Sequence, residues 1–296
     1  MIMRSTSLVA AIGLTIAGTV GYFYHLATGT NFDPVLVEPF ELFPVYWYGV
    51  IVLIAVGVGF VFAYAQPAVD ESPSNQKIWR YVISIVIAGI MGARLFDVFF
   101  ITPIARQQGI RSSWDYFENP VFLVDFSWGG LNIWGAIIGG GVMLIWICWR
   151  TGLLPLPIFF KTVVGFLIGL SLAQWGHFIN QELYGIPVDR WWAVSIDPTH
   201  RLPIFESEER FVPLFLMAAI WYLAGGLWLA TSPRWQRSSI DQLDGVAVGL
   251  IWFIVGRMAI ELNTPNSLFN WLSAVLLLVI IFGAVRLGRN FIFNKQ

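Results

Sequence analysis

Apolar runs of about twenty residues, separated by short polar breaks, recur along this chain. A helix crossing about 30 Å of hydrocarbon needs roughly 20 apolar residues. Eight stretches meet that pattern: 7–27, 46–65, 81–103, 129–149, 156–175, 211–231, 245–261 and 268–287. The seventh is short and carries two charges, which makes it the least secure as a full span. Two connections are long, 104–128 and 176–210, and both hold Trp, Tyr and Phe among acids and prolines. Such aromatics suit the headgroup level. The pattern predicts an all-α polytopic membrane protein of about eight transmembrane helices. The two long connections are expected to form either an aromatic belt alone or a small extracytoplasmic head that handles a partner.

Composition agrees. Of 296 residues, 57% are hydrophobic and 12% charged, where a soluble domain carries about 25% charged residues. The net charge of −1 gives no global field for nucleic acid. One cysteine, Cys148, excludes an internal disulfide framework. Chemistry that needs a thiol must borrow one from a partner or use Cys148. His25, His177 and His200 show no ligand spacing, so neither a metal nor another cofactor is expected.

Lys and Arg favour the cytoplasmic side. With the N-terminus inside, ten fall on inner segments (Arg4, Lys77, Arg80, Arg150, Lys161, Arg234, Arg237, Arg286, Arg289, Lys295) and five on outer ones (Arg106, Arg111, Arg190, Arg201, Arg210). Both termini are therefore expected in the cytoplasm. Residues 1–30 read as a retained anchor rather than a cleaved leader: the apolar run exceeds the usual 7–15 residues and no clear A-x-A site comes after it. Residues 31–290 form the main membrane domain, and 291–296 a cytoplasmic tail. Gly135-x-x-x-Gly139 and Gly165-x-x-x-Gly169 predict close helix contacts.

Ionisable groups inside a membrane are expensive unless paired or wet. Arg94 and Asp97 stand at i,i+3 in the third span, and Arg257 and Glu261 at i,i+4 in the seventh. Each pair can neutralise itself on one helix face. They are either structural ion pairs or the wall of a polar cavity in which an arginine fork holds a phosphate. The stretch WGHFINQELYG, Trp175 to Gly185, adds to this set. If helical, it puts His177, Asn180 and Gln181 on one face, with Gln174 one turn back and Glu182 near the same side. His177 is its one side chain that titrates near neutral pH. Tyr46, Trp47 and Tyr48 open the second span, and Asn132 the fourth. An interfacial belt and a lipid-headgroup site explain these equally.

Several of these stretches, in order, resemble the prolipoprotein diacylglyceryl transferase family. NFDPVLVEPFELFPVYWYG resembles its opening, an Asp-Pro segment leading to Trp-Tyr-Gly. IMGARLFDV resembles its Gly-Gly-Arg segment, and SWGGLNIWGAIIGG its Gly-Gly-x-x-x-His-Gly segment. GLSLAQWGHFINQELYG resembles its signature, Gly-Arg-x-Gly-Asn-Phe-x-Asn-x-Glu-x-x-Gly. GRMAIE resembles its late Arg-x-x-x-Glu. The matches run over roughly 31–290, so seven spans look family-like and the N-terminal anchor is extra. The resemblance implies a bacterial inner-membrane enzyme with a periplasmic head. Such an enzyme moves the diacylglyceryl group of phosphatidylglycerol onto the lipobox cysteine of a prolipoprotein signal peptide, and glycerol-1-phosphate leaves. Its partners are thus membrane lipid and prolipoprotein.

Residue by residue, the resemblance carries over to Tyr48, Arg94, Asn180, Glu182, Gly185, Arg257 and Glu261. It implies that Arg257 holds the phosphate, that Glu182 and Glu261 orient polar partners, and that Tyr48 and Asn180 contact the lipid head. The chain also departs from the pattern. Gln174 stands where the signature has arginine, His177 where it has asparagine and Trp134 where the fourth span has histidine. FVPLFLMAA replaces His-Pro-x-x-x-Tyr-Glu, keeping Pro213 with Val212, Met217 and Ala218 elsewhere, and Phe253 replaces a tyrosine. Protonated, His177 would restore a cation one turn from Gln174; neutral, it would serve as base for a thiol. Expected catalytic residues are Arg257, His177 and Glu182. Expected substrate-binding residues are Tyr48, Arg94, Gln174, Asn180, Gly185 and Glu261. The other readings are a non-catalytic paralogue that binds phospholipid or precursor, a transferase of altered lipid substrate and, last, a small transporter.

Overall fold

The structure is a computed structural model that describes residues 2–37, 45–64, 75–101, 106, 109–124, 132–152 and 155–264. The expected span 268–287, the tail 291–296 and part of the connection 104–128 lie outside the described residues.

In chain order the helices are α1 (Ile2–Thr28), α2 (Trp47–Tyr64), α3 (Asn75–Phe99), α4 (Ser113–Glu118), α5 (Val121–Val124), α6 (Ile133–Thr151), α7 (Pro155–Ile179), α8 (Leu214–Thr231) and α9 (Ser239–Asn263). Strand is confined to two short antiparallel pairs among the described residues. One joins β1 (Val35–Val37) to β2 (Val45–Tyr46), the other β3 (Val194–Ser195) to β4 (Arg210–Phe211). Among the described residues, five stretches are long and apolar enough to cross a membrane: Arg80–Phe99, Ile133–Thr151, Leu156–Ile179, Leu214–Thr231 and Ile240–Asn263. Trp47–Ala63 is a shorter apolar helix. The chain is thus mostly helical, as an all-α membrane protein requires.

The stretch 245–261 is longer than its hydropathy suggested. It lies inside the 25-residue helix α9. Ser238 caps that helix by accepting from the Asp241 amide at 3.2 Å, and Asp241 sits in the first turn. A capping oxygen and an early carboxylate both favour a helix start, so the polar residues before the apolar run are helical too. α6 begins at Ile133, because the Asn132 side chain accepts from the Trp134 amide at 2.9 Å. It ends where Gly152 turns left-handed at φ 67°, a backbone conformation that glycine adopts without steric penalty.

The chain divides into two compact units, Asp70–Pro155 on one side and Met1–Val69 with Leu156–Gln296 on the other. In the first, α3 and α6 cross on glycine. A Cβ on Gly92 would stand 2.4 Å from the Gly135 carbonyl oxygen, and one on Gly139 2.2 Å from that of Ala88. Small residues permit such approach where helices share no hydrophobic drive. The outward positions Ile83, Ile87, Met91, Ile138, Val142 and Trp149 are exposed and apolar, as lipid-facing surfaces are.

In the second unit, α2 meets α7 in the same way: a Cβ on Gly59 would lie 2.4 Å from the Gly165 oxygen. Both small-residue motifs therefore act in packing. α8 and α9 are locked by two tryptophans. Trp221 Nε1 donates to Trp252 O and Trp252 Nε1 to Trp221 O, each at 2.9 Å. The rings stack at 4.4 Å, and Gly225 and Gly256 leave them room. α7 and α9 run parallel. Phe160 packs on Gly245 and Val163 on Gly249, and the Phe166 ring lies 5.2 Å from that of Phe253. α1 docks through Tyr22 onto Trp175, Phe178 and Phe215, which form one buried aromatic cluster.

Candidate functional site

The segment after α7 is not helical. α7 ends at Ile179, and Gln181 and Leu183 both take φ 54°. Left-handed backbone at non-glycine residues is uncommon and clusters at functional sites. The turn is closed by the Glu182 amide donating to the His177 carbonyl at 2.8 Å. This breaks the expected single face of His177, Asn180 and Gln181. Gln181 turns away and is buried: its Nε2 donates to Asp197 Oδ2 at 2.6 Å, and its Oε1 accepts from the Asp197 amide at 2.7 Å. Burial pushes the Asp197 carboxyl up, but bonds from Gln181 and Asn31 and the charges of His200 and Arg201 outweigh it. They hold the carboxyl below the usual range.

The other members of the run converge. His177 Nδ1 lies 3.0 Å from Glu182 Oε2, and Asn180 Nδ2 donates to Glu182 Oε1 at 3.4 Å. The turn thus folds the carboxylate back under the imidazole. Tyr48, at the start of α2, closes the other side with its ring centroid 5.1 Å from that of His177. Gly176 makes this possible, since a Cβ there would lie 2.7 Å from the Tyr48 ring. Gly185 gives its amide to Val212 O at 2.8 Å, and a Cβ there would lie 3.2 Å from the Asn263 carbonyl oxygen. The turn bearing Glu182 therefore leads directly onto the end of α9.

That end of α9 carries the second group. Arg257 and Glu261 form an ion pair. The Arg257 side chain is 30% exposed and that of Glu261 16%, and Arg257 Nε has no hydrogen-bond partner among the described residues. Tyr222 of α8 sits beside them. Its ring lies over Gly256, and its hydroxyl feels both charges. Gln174 lies near the same end, in the last two turns of α7. Gln174 is buried, its Nε2 donates to Leu170 O at 3.1 Å, and its Oε1 has no partner among the described residues.

Arg94 belongs to the other unit. Its guanidinium donates to Phe122 O at 2.5 Å and Leu123 O at 3.4 Å, and faces Asp97 at 3.9 Å. Tyr116 lies 5.7 Å beneath it and donates to Asp97 at 2.5 Å. The second unit therefore brings together Tyr48, His177, Asn180, Glu182 and Gly185, with Gln174, Arg257 and Glu261 at the same end. Among the described residues, no three His, Cys, Asp or Glu side chains gather at metal-binding range. Sequence reading missed Tyr222. Its signal was present: it is the one tyrosine in 211–231, a turn beyond the position where the family motif carries Tyr-Glu.

Residues 34–288 match the family model described as prolipoprotein diacylglyceryl transferase. The chain belongs to this family. It is 30% identical over 236 residues to the phosphatidylglycerol–prolipoprotein diacylglyceryl transferase of Chloroflexus aggregans, covering 76% of this chain and 73% of that one. It is 25% identical over 262 residues to the enzyme of that name from Streptococcus pyogenes serotype M5, covering 83% and 92%. The match to this transferase family begins at residue 34, so α1 precedes it.

Proposed function

We propose that this protein transfers the diacylglyceryl group of phosphatidylglycerol to the lipobox cysteine of prolipoproteins. The observation that carries the reading is the joint presence of a carboxylate-held imidazole and a partly open arginine at one end of the bundle, within a chain of this family. The two named relatives act, by name, on phosphatidylglycerol and prolipoprotein. The expected setting is the bacterial inner membrane, with both termini cytoplasmic. Eight spans and an external head formed by 104–128 and 176–210 complete it.

In this mechanism Glu182 holds the His177 imidazole through Nδ1 and turns Nε2 toward the incoming thiol. His177 takes the thiol proton, and the sulfur attacks the glyceryl carbon next to the phosphate. The C–O bond breaks as the C–S bond forms. The electron pair leaves on the phosphate oxygen, so the products are a thioether and glycerol-1-phosphate. Arg257, positioned by Glu261 and the tryptophan clamp, meets the phosphate with the solvent-accessible part of its guanidinium. A guanidinium suits this because it stays protonated and matches phosphate geometry. Gln174 Oε1 accepts from a hydroxyl of the glycerol headgroup. Tyr48 and Asn180 border the headgroup, and Gly185 keeps the turn close to α9. Arg94 serves by fixing the segment 109–124 rather than by meeting phosphate.

One observation favours a second reading, a relative that binds phospholipid without transfer: the position of the signature arginine is a buried, uncharged Gln174. A single assay separates the two. Purified protein, phosphatidylglycerol and a lipobox peptide are incubated, and the peptide mass is followed. The transferase gives a diacylglyceryl mass gain that vanishes with a Cys→Ser peptide. No gain beside an active control enzyme, with phosphatidylglycerol still bound, overturns transfer in favour of binding.

A further inference from the structure

α1, which lies ahead of the family match, lines an open-sided apolar cavity of about 270 Å³ together with α7, α8 and the connection between them. Its walls include Thr15, Thr19 and Tyr22 of α1, Trp175 of α7 and Ala219 of α8, with Trp191 also lining it. The polar atoms of the α1 wall are turned back into the protein. Thr15 Oγ1 donates to Ala11 O at 2.8 Å and Thr19 Oγ1 to Thr15 O at 2.7 Å. The Tyr22 hydroxyl donates to Trp192 O. Ser171 of α7 is the one further hydroxyl-bearing side chain in the lining, so the wall offers an occupant almost entirely hydrocarbon contact, which selects against a headgroup, a sugar or a peptide backbone.

Shape and place narrow the occupant further. A helix with its side chains is a rigid body about 10–12 Å across, whereas a flexible hydrocarbon chain can lay part of its length in a cleft of this size. The walls come from apolar helix stretches, and Trp191, 77% exposed, stands at the rim. Tryptophan at a rim of this kind marks the headgroup level. The cavity is also separate from the reaction centre. α7 turns Gly176 and His177 to Tyr48 of α2, and Trp175 and Phe178 to α1.

We propose that α1 completes an acyl-chain site in which one fatty acyl chain of a bilayer phospholipid lies between α1, α7 and α8, its headgroup level with Trp191. α1 is then a retained, lipid-binding element of the protein. The site holds a lipid that is not the diacylglyceryl donor at His177.

The test uses the full chain in nanodiscs containing phosphatidylcholine with a diazirine on one acyl chain. Phosphatidylcholine lacks the glycerol headgroup of the proposed donor, so this result is independent of the transfer assay. After irradiation, label is expected on peptides spanning 15–26 and 216–223. Ala219→Phe, which fills the cavity, is expected to cut that label at least fivefold and to leave label at the lipid-facing Ile87 unchanged. Equal labelling in the parent and in a monodisperse Ala219→Phe protein would overturn the site and leave only ordinary boundary lipid. Leu223→Trp gives the same readout from the next turn of α8 should Ala219→Phe fail to fold. Native mass spectrometry of the parent supplies an arm without any variant. One phospholipid retained through dilution in detergent supports the site, and none retained overturns it.

Discussion

Arg94 and Arg257 look alike in sequence, each an arginine with a carboxylate one turn later inside an apolar run. Their surroundings differ. Arg94 is 4% exposed, donates to the carbonyls of Phe122 and Leu123, and shares Asp97 with the Tyr116 hydroxyl. Arg257 is paired with Glu261 but keeps a partly exposed side chain and an Nε with no partner among the described residues. The first guanidinium is built into the fold; the second is held on one side and open on the other. The cause lies in the neighbours that each helix acquires. After α3 the chain folds back over Arg94 through α4 and α5. Beside Arg257 stand a tryptophan clamp, Gly256 and Tyr222.

The comparison breaks most visibly at Arg94. Removing one partner from a buried ion pair leaves an uncompensated charge and costs about 3–5 kcal/mol. Arg94→Leu should therefore lower unfolding stability by about that amount in detergent, and activity should fall only as the folded fraction falls. A variant as stable as the parent but inactive would assign Arg94 to substrate instead.

Arg257→Ala should show the opposite split. Loss of a donor that meets developing charge costs about 2.7–4 kcal/mol in the transition state, or 10²–10³ in kcat. Stability should change far less than in Arg94→Leu, because the Arg257 side chain is already partly solvated. Rates measured with phosphatidylglycerol and a lipobox peptide decide this, alongside a melting curve for each variant. Full activity in Arg257→Ala would remove its assigned role.

Much of this contrast was legible in the sequence, and its limits have physical causes. The apolar runs located α3, α6, α7 and α8 because burial in lipid demands them. The start of α9 was hidden, since Ser238 and Asp241 begin that helix by capping rather than by hydropathy. Pairing of arginine and carboxylate was readable at i,i+3 and i,i+4. Occupancy of Arg94 by Phe122 was not, because it is made 28 residues away. Helical spacing grouped Gln181 with His177, and the left-handed turn at Gln181 undid that while bringing Glu182 in. Motif order does not mark Tyr222; its place beside Gly256 comes from helix packing.

A smaller effect sharpens the Arg257 side of the comparison. Gln174, near the end of α7, has a buried acceptor with no partner among the described residues. If that oxygen receives a headgroup hydroxyl, Gln174→Leu loses one neutral hydrogen bond, about 0.5–1.5 kcal/mol. KM for phosphatidylglycerol should rise between about twofold and tenfold, with kcat nearly constant and stability unchanged or raised. An unchanged KM would make Gln174 a packing residue and leave Arg257 to act without it.

The smallest expected effect concerns a carboxylate outside the membrane spans. Asp197 accepts from Gln181 and Asn31, which holds it below the ordinary aspartate range. A depressed folded pKa contributes stability that is present above the unfolded value and lost as pH falls through the folded one. With an unfolded aspartate near pH 4, the contribution should be constant at neutral pH and fade only below about pH 4. Asp197→Asn should therefore melt slightly below the parent near neutrality, and the gap should close on acidification. A gap that stays constant below about pH 4 would mean that shape, not charge, matters at this position.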